Sequence, residues 1–270
     1  MAASYGFYPN VVGEALLGIL NGRIWMNLKD SVCVVTGAGS GIGRALSVLL
    51  GAFGARLALV GRTQSKLEDV VNEIRKSGGF AMYRVLDVSD WRAVDEAFEN
   101  LDGEFGKLDV LINCAAENIS ERGTLETSPE GLMRVMKSTF FGTVNCTRAA
   151  LPSMLKSGSG SIVNIASVAG RAPDAVSGMA YSAAKAAVMN FSNFVAREFG
   201  RSGIRMTVVI PGEVDTPLLN QRPRQPSTED RSAMVQASSV AEVIAVALRM
   251  PATATIQEIV IQPTGRKYQR

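Results

Sequence analysis

The sequence contains no histidine. That absence removes the usual general base of Ser/His/Asp and Cys/His hydrolases, so proton transfer falls to Tyr, Lys, Asp and Glu. Cysteine is scarce as well: Cys33, Cys114 and Cys146 are the only three, and no CxxC or metal-ligand spacing links them. A disulfide framework, a structural zinc and any other metal site are therefore not expected. There is no GxxxxGK(S/T) nucleotide loop, no internal repeat, no low-complexity tract and no run of like charge. Charge of one sign is not in excess, with 28 Lys and Arg against 25 Asp and Glu and a net charge of +3. Without a dense basic stripe a nucleic-acid groove is not expected, and a small-molecule substrate is the better partner. Long hydrophobic runs are missing too. The apolar stretch 11–20 is interrupted by Glu14 and two glycines and follows no positively charged segment. A membrane span needs about 20 apolar residues, so we expect no span and no signal peptide. Residues 1–27 read as an extension with a short apolar helix lying on the domain or on a neighbouring subunit, a targeting extension being the weaker alternative. Cytoplasm is the default location.

What is present suits a large core. The 270 residues are 47% hydrophobic and 20% charged, and the mean hydropathy is slightly positive. This composition is that of a globular protein with a sheet buried on both faces. Length and composition predict one domain over 28–270. Apolar β-branched runs at 32–36, 57–61, 81–86, 110–113, 161–166, 205–210 and 256–261 read as strands. Amphipathic stretches at 41–53, 66–77, 92–105, 129–156, 180–202 and 240–250 read as helices between them. The predicted fold is α/β, a single-domain Rossmann-type doubly wound parallel sheet of about seven strands with helices on both faces. Ligands in such sheets bind beyond the carboxyl ends of the strands, where strand order reverses. The one irregular region, 217–232, holds three prolines and several polar residues, and is too long for an ordinary connection. It is the natural candidate for a mobile lid.

The first predicted strand ends in Thr36-Gly37-Ala38-Gly39-Ser40-Gly41-Ile42-Gly43, after which a helix begins. Glycines there let backbone amides approach a pyrophosphate, and the helix N-terminus adds partial positive charge. Further along stand Asp87-Val88, Asn113-Cys114-Ala115-Ala116, Tyr181-Ser182-Ala183-Ala184-Lys185, and Pro211-Gly212 followed by Val214 and Thr216. In this order, each at a strand or helix boundary, these segments make residues 28–263 resemble the classical short-chain dehydrogenase/reductase family. The resemblance implies cofactor contacts from Gly37, Gly39, Ser40, Gly41, Ile42, Gly43, Arg62, Asp87, Val88, Asn113, Ala115, Tyr181, Lys185, Pro211, Gly212, Val214 and Thr216. It also implies that Lys185 hydrogen-bonds the nicotinamide ribose.

Tyr181 and Lys185 lie four residues apart, on one face of a predicted helix, which brings an ammonium near a phenol. That proximity, with the positive nicotinamide ring, is expected to lower the tyrosine pKa from about 10 toward the working range, so that Tyr181 can move the substrate proton. Ser167, at the end of the fifth predicted strand, is placed to hold the substrate oxygen. Two departures from the family pattern stand out. Thr139 occupies the place of the usual catalytic Asn, three residues before Gly142, where its hydroxyl can bond water or a backbone carbonyl. Ala116 replaces a glycine of the Asn-Asn-Ala-Gly segment.

At the end of the second predicted strand Gly61-Arg62 presents no carboxylate to repel a 2′-phosphate, and Arg62 can pair with one, so NADP(H) is favoured over NAD(H). Against this, Ser40 stands where many NADP-using relatives have an arginine. The expected activity is interconversion of a carbonyl and a secondary alcohol on a 3-oxo or 3-hydroxy acid, an acyl thioester or a ketone. Arg222 and Arg224 in the lid suit an anionic substrate, and equally suit a solvated loop. The alternatives are a dinucleotide-binding sensor or scaffold, motivated by Thr139, and a methyltransferase or nucleotide-sugar binder, for which the Tyr181 and Lys185 pair has no use. The resemblance implies a homotetramer or homodimer packed through the helices at 129–156 and 180–202.

Overall fold

The computed structural model describes residues 27–264. The apolar helix expected within 1–27 lies outside the described residues. From there the chain alternates strictly: β1 (Val32–Thr36), α1 (Gly41–Ala52), β2 (Arg56–Gly61), α2 (Gln64–Lys76), β3 (Phe80–Val85), α3 (Trp91–Phe105) and β4 (Val110–Asn113). The second half runs through α4 (Pro129–Met136), α5 (Gly142–Ser157), β5 (Gly160–Ile165), α6 (Met179–Phe199) and β6 (Ile204–Pro211). It closes with β7 (Val214–Asp215), α7 (Thr228–Ser232), β8 (Val235–Gln236), α8 (Ala237–Arg249) and β9 (Glu258–Ile261).

Seven strands form one sheet in the order β3-β2-β1-β4-β5-β6-β9, every neighbouring pair parallel. The chain builds outward from β1 to β3, then returns to the other side of β1 with β4. Strand order therefore reverses between β1 and β4, where Cys33 is registered against both Leu57 and Val110. β1 explains why this sheet needs two helical layers. Its alternate residues Val32 and Val34 face the core under α3 and α5 with Phe98, Leu101 and Met154. Cys33 and Val35 face the core under α1, α2 and α8 with Leu46, Ile74 and Ile244. All are closed to water, and each buried Val or Leu contributes about 1.5–3 kcal/mol. A strand with water on one face would not tolerate this run.

Helix ends are set by local chemistry. Asp90 caps α3, accepting from the amides of Arg92 and Ala93, and Gly106 ends it at φ 78°. Ser128 caps α4 ahead of Pro129. The helix expected over 129–156 is not continuous: residues Lys137–Phe141 form a π-helical turn between α4 and α5. Gly142 follows that turn where any Cβ would come within 2.4 Å of Val88, so close packing against the segment after β3 accompanies the break. The stretch 217–232 is also more regular than expected. It holds a 3₁₀ turn (Pro217–Gln221) and α7, whose Ser227 and Asp230 make a capping box. β7 and β8 pair in parallel on either side of it, Val214 against Val235, and Arg231 reaches back to Asp215 at 2.8 Å. No helix among the described residues is long and apolar enough to cross a membrane.

Candidate active site

The carboxyl ends of β1, β2, β4, β5 and β6 open into one cleft of about 420 Å³, within the size range of small-molecule sites. At its floor is the turn between β1 and α1. Gly37 has φ +65°, and a Cβ there would sit 2.9 Å from the backbone of Ala115. A Cβ at Gly43 would stand 2.4 Å from the Gly37 carbonyl oxygen. Neither position accepts a side chain, which keeps β1, the turn and the segment after β4 in backbone contact. Ser40 precedes α1 without a capping hydrogen bond from its side chain, and no acidic residue occupies the first turn of α1. The helix N-terminus thus faces the cleft with its amides and partial positive charge available to an anion.

Of the residues expected from sequence to catalyse or to contact the cofactor, sixteen line this cleft: Gly37, Gly39, Ser40, Gly41, Ile42, Arg62, Asp87, Val88, Ala115, Ser167, Tyr181, Lys185, Pro211, Gly212, Val214 and Thr216. Three do not. Gly43 packs behind the turn. Asn113 is buried and its amide nitrogen donates to Thr147 Oγ1 at 3.1 Å and to Asn164 Oδ1 at 2.8 Å. These bonds join β4, β5 and α5, while its Oδ1 is buried without a partner among the described residues. Thr139 is also closed to water. Its hydroxyl lies 3.3 Å from the amide nitrogen and 3.4 Å from the carbonyl oxygen of Glu117, and the residue of the π-helical turn that reaches the cleft is its neighbour Ser138.

Ser167, Tyr181 and Lys185 stand together on one wall. Lys185, 2% exposed, donates through Nζ to the Ile165 carbonyl at 2.6 Å and lies 5.5 Å from the centroid of the Tyr181 ring. Burial lowers its pKa to about 8, an effect opposed by Cys114. Tyr181 differs from expectation. Burial of the phenol pushes it up to about 12, since an anion loses more than a neutral phenol on leaving water. Opposing this are a hydrogen bond with Ser167 and the charges of Arg122 and Arg222. These two arginines thus act on the phenol besides Lys185 over its ring, where the sequence pointed to Lys185 and the nicotinamide ring. Cys114, in the same cleft, is held up at about 11 by burial, which leaves it a neutral wall residue.

Arg62 lines the cleft mouth with its side chain 58% exposed, 3.1 Å from Glu117, which also holds Arg134 at 2.8 Å. Beside it stand Thr63 and Lys66, at the start of α2, whose first turn carries no acid. Arg122, Ser177, Gln221 and Arg222 also line the cleft. Arg122 carried no sequence signal, lying in a polar connection without periodicity or motif. Arg222 is 19% exposed and paired with Glu213 at 2.9 Å, whereas Arg224 is exposed and lies away from the cleft lining. Among the described residues no group of three or more His, Cys, Asp or Glu is placed to hold a metal ion.

This fold and cleft define a dinucleotide-binding α/β oxidoreductase, and comparison with known proteins gives its family. Residues 31–227 match the short chain dehydrogenase family model. The chain is 34% identical over 236 residues to an uncharacterized oxidoreductase of Staphylococcus aureus (strain USA300), covering 87% of this chain and 98% of that one. Among solved structures it superposes on levodione reductase with a TM-score of 0.81 at 29% identity, over 88% of this chain and 98% of that one. An alcohol dehydrogenase from the archaeon Thermococcus sibiricus, complexed with 5-hydroxy-NADP, gives a TM-score of 0.79 at 25% identity, over 89% and 99% of the two chains. The protein belongs to the short-chain dehydrogenase/reductase family and is an NAD(P)-dependent oxidoreductase of that family.

Proposed function

We propose that the protein interconverts a carbonyl and a secondary alcohol on a small organic substrate, using NADP(H) in preference to NAD(H). The observation that carries this reading is the grouping of Ser167, Tyr181 and Lys185 in the same cleft as the glycine turn and the N-terminus of α1. A nicotinamide cofactor, when bound, supplies or accepts the hydride. The glycine turn and α1 fit its pyrophosphate, Asp87 and Val88 its adenine side, and Lys185 its ribose. The rest of the chemistry belongs to the chain. The hydroxyl of Ser167 holds the substrate oxygen and, through its hydrogen bond, favours the phenolate of Tyr181. Tyr181 gives its proton to that oxygen in reduction and takes one in oxidation. Lys185, fixed to the end of β5 by Ile165, keeps a cation close to the phenol ring.

The preference for NADP(H) rests on the cluster Arg62, Thr63 and Lys66 around the N-terminus of α2, which offers a 2′-phosphate two cations, a hydroxyl and a helix N-terminus. The NADP-type ligand of the Thermococcus alcohol dehydrogenase accords with it. The decisive experiment is calorimetric titration with NADP⁺ and NAD⁺, then a turnover screen of ketones and 3-oxo acids with the preferred reduced cofactor, in wild type and Tyr181→Phe. Tighter NADP⁺ binding with turnover lost in the variant supports the proposal. The second reading, a dinucleotide-binding sensor, draws on Thr139, whose hydroxyl is engaged with Glu117; it is favoured by tight binding without turnover of any substrate.

A further inference from the structure

Two guanidinium groups converge on the substrate side of the cleft. Arg122 is 8% exposed, yet among the described residues no carboxylate comes within salt-bridge distance of it. Its two terminal nitrogens donate to backbone carbonyls, Nη1 to Ser177 at 3.0 Å and Nη2 to Gln221 at 2.8 Å, and its Nε is buried without an acceptor among the described residues. Arg222 follows Gln221 directly. The two cations are close enough to repel, each also interacting with Tyr181.

A buried guanidinium among carbonyls is costly, because its lost hydration is not returned by an opposite charge. Structure alone does not explain its presence, since a neutral donor would serve the same two carbonyls. The charge balance identifies what would complete it. Arg122 and Arg222 share one half-buried carboxylate, Glu213, already engaged with Arg222, and Glu121, whose charge acts on Arg122, is exposed and screened by water. Asp174 also reaches the cleft, but it is exposed and its Oδ1 accepts from the Ser177 amide at 2.6 Å, so water screens it. One positive charge is left over beside the Tyr181 hydroxyl. A singly charged, flat anion matches a guanidinium better than a phosphate dianion would match this balance.

We propose that Arg122, assisted by Arg222, is a substrate-binding subsite for a carboxylate, so that the physiological substrate is an oxo or hydroxy acid whose carboxylate lies close to the reacting carbon. This rests on the oxidoreductase reading above. It also assigns Arg122 a second effect: through Gln221 it fixes the end of the 3₁₀ turn Pro217–Gln221, so the residue that binds the anion also holds the wall of the cleft in place.

The test uses the full chain with saturating NADPH and matched pairs of straight-chain 3-oxo acids and their methyl esters, in wild type, Arg122→Met and Arg222→Met. A charge-assisted hydrogen bond corresponds to about ten- to hundredfold in affinity. Wild type should therefore prefer the acid in kcat/KM by at least about tenfold, and each variant should lower that ratio. In parallel, calorimetry of the NADP⁺ complex with hexanoate and hexanamide reads the subsite without turnover. Hexanoate should bind more tightly, with the advantage reduced in both variants while NADP⁺ affinity holds. Equal affinity for hexanoate and hexanamide, or an acid preference that survives both substitutions, overturns the subsite. Failure of wild type to bind either nicotinamide cofactor instead overturns the oxidoreductase reading. Should Arg122→Met not fold, Arg222→Met and the hexanoate comparison on wild type decide the matter.

Discussion

Lys185 Nζ is anchored 2.6 Å from the carbonyl oxygen of Ile165 and stands 5.5 Å from the centre of the Tyr181 ring. The lysine is therefore tied to the sheet and placed over the face of the phenol. Burial acts on the two groups in opposite senses, lowering the lysine to about 8 and raising the tyrosine to about 12. Each is pushed toward its neutral form, as burial demands of any charge.

The pH dependence of reduction follows. Tyr181 must begin protonated, and it stays so throughout the neutral and mildly alkaline range. Lys185 is protonated below about 8 and loses its charge as pH rises through that value. If the cation is needed, kcat/KM for reduction falls above about pH 8, and the alkaline limb belongs to the lysine. A profile measured with NADPH that stays flat well beyond that point would show that the charge on Lys185 is dispensable.

Cofactor choice gives a second expectation. Arg62 is tethered to Glu117 at 3.1 Å, and Glu117 is shared with Arg134. Arg62 is half free at the cleft mouth, so its contribution to a 2′-phosphate is that of a charge-assisted hydrogen bond, about 1.5–3 kcal/mol. Arg62→Ala should weaken NADP⁺ binding about ten- to hundredfold with little change for NAD⁺, read by titration of both. A parallel loss of both affinities would place Arg62 in general support of the fold.

The parallel sheet and its helices were legible because β-branched strand runs and amphipathic helices have different periods, and because a strand followed by glycines and a helix has few other uses. What was not legible depends on contacts between distant segments. Two-residue strands such as β7 and β8 have no periodicity; they are defined by the pairing of Val214 with Val235 across the ends of 217–232, beside which Arg231 meets Asp215. The π-helical turn interrupts a pattern that reads as one helix, since an extra residue per turn leaves no trace in composition. For the cleft, motif spacing reached Tyr181, Lys185, Ser167 and the glycine turn, but it missed Arg122. Nothing within a polar connection distinguishes an arginine in solvent from one drawn under Ser177 and Gln221. The spacing also pointed to Asn113, whose side chain lies outside the cleft lining and donates to Thr147 and Asn164.

Thr139 supplies the third prediction. Its contacts with Glu117 are long, 3.3 Å and 3.4 Å, and replacing the residue by the equally shaped valine leaves the Glu117 amide without that acceptor. The expected cost is about 1 kcal/mol, or about 2–4 °C in Tm for a chain of this size. Because the hydroxyl faces the backbone behind the cleft, Thr139→Val should lower kcat by less than about tenfold, well below the range of a proton-transfer group. A hundredfold loss of kcat with unchanged Tm would return Thr139 to the chemistry.

The last prediction concerns Gly178, which precedes α6 at φ +80°, where a Cβ would lie 2.7 Å from Cδ and 3.2 Å from Cα of Arg122. The missing side chain is what lets Arg122 cross the entrance to α6, where the Met179 amide donates to the Arg122 carbonyl at 3.0 Å. In Gly178→Ala two penalties coincide. The left-handed backbone costs about 1–2 kcal/mol for an L-residue, and the guanidinium must leave the position from which it reaches Ser177 and Gln221. Tm should fall, and KM for a 3-oxo acid should rise about tenfold with a smaller change for its ester. Gly103 provides the comparison, since it lies inside α3 with nothing within 4 Å of a built Cβ. There alanine should stabilise by about 0.5–1 kcal/mol through helix propensity alone. If the two substitutions shift Tm alike and neither separates acid from ester, Gly178 is not what holds Arg122 in the substrate wall.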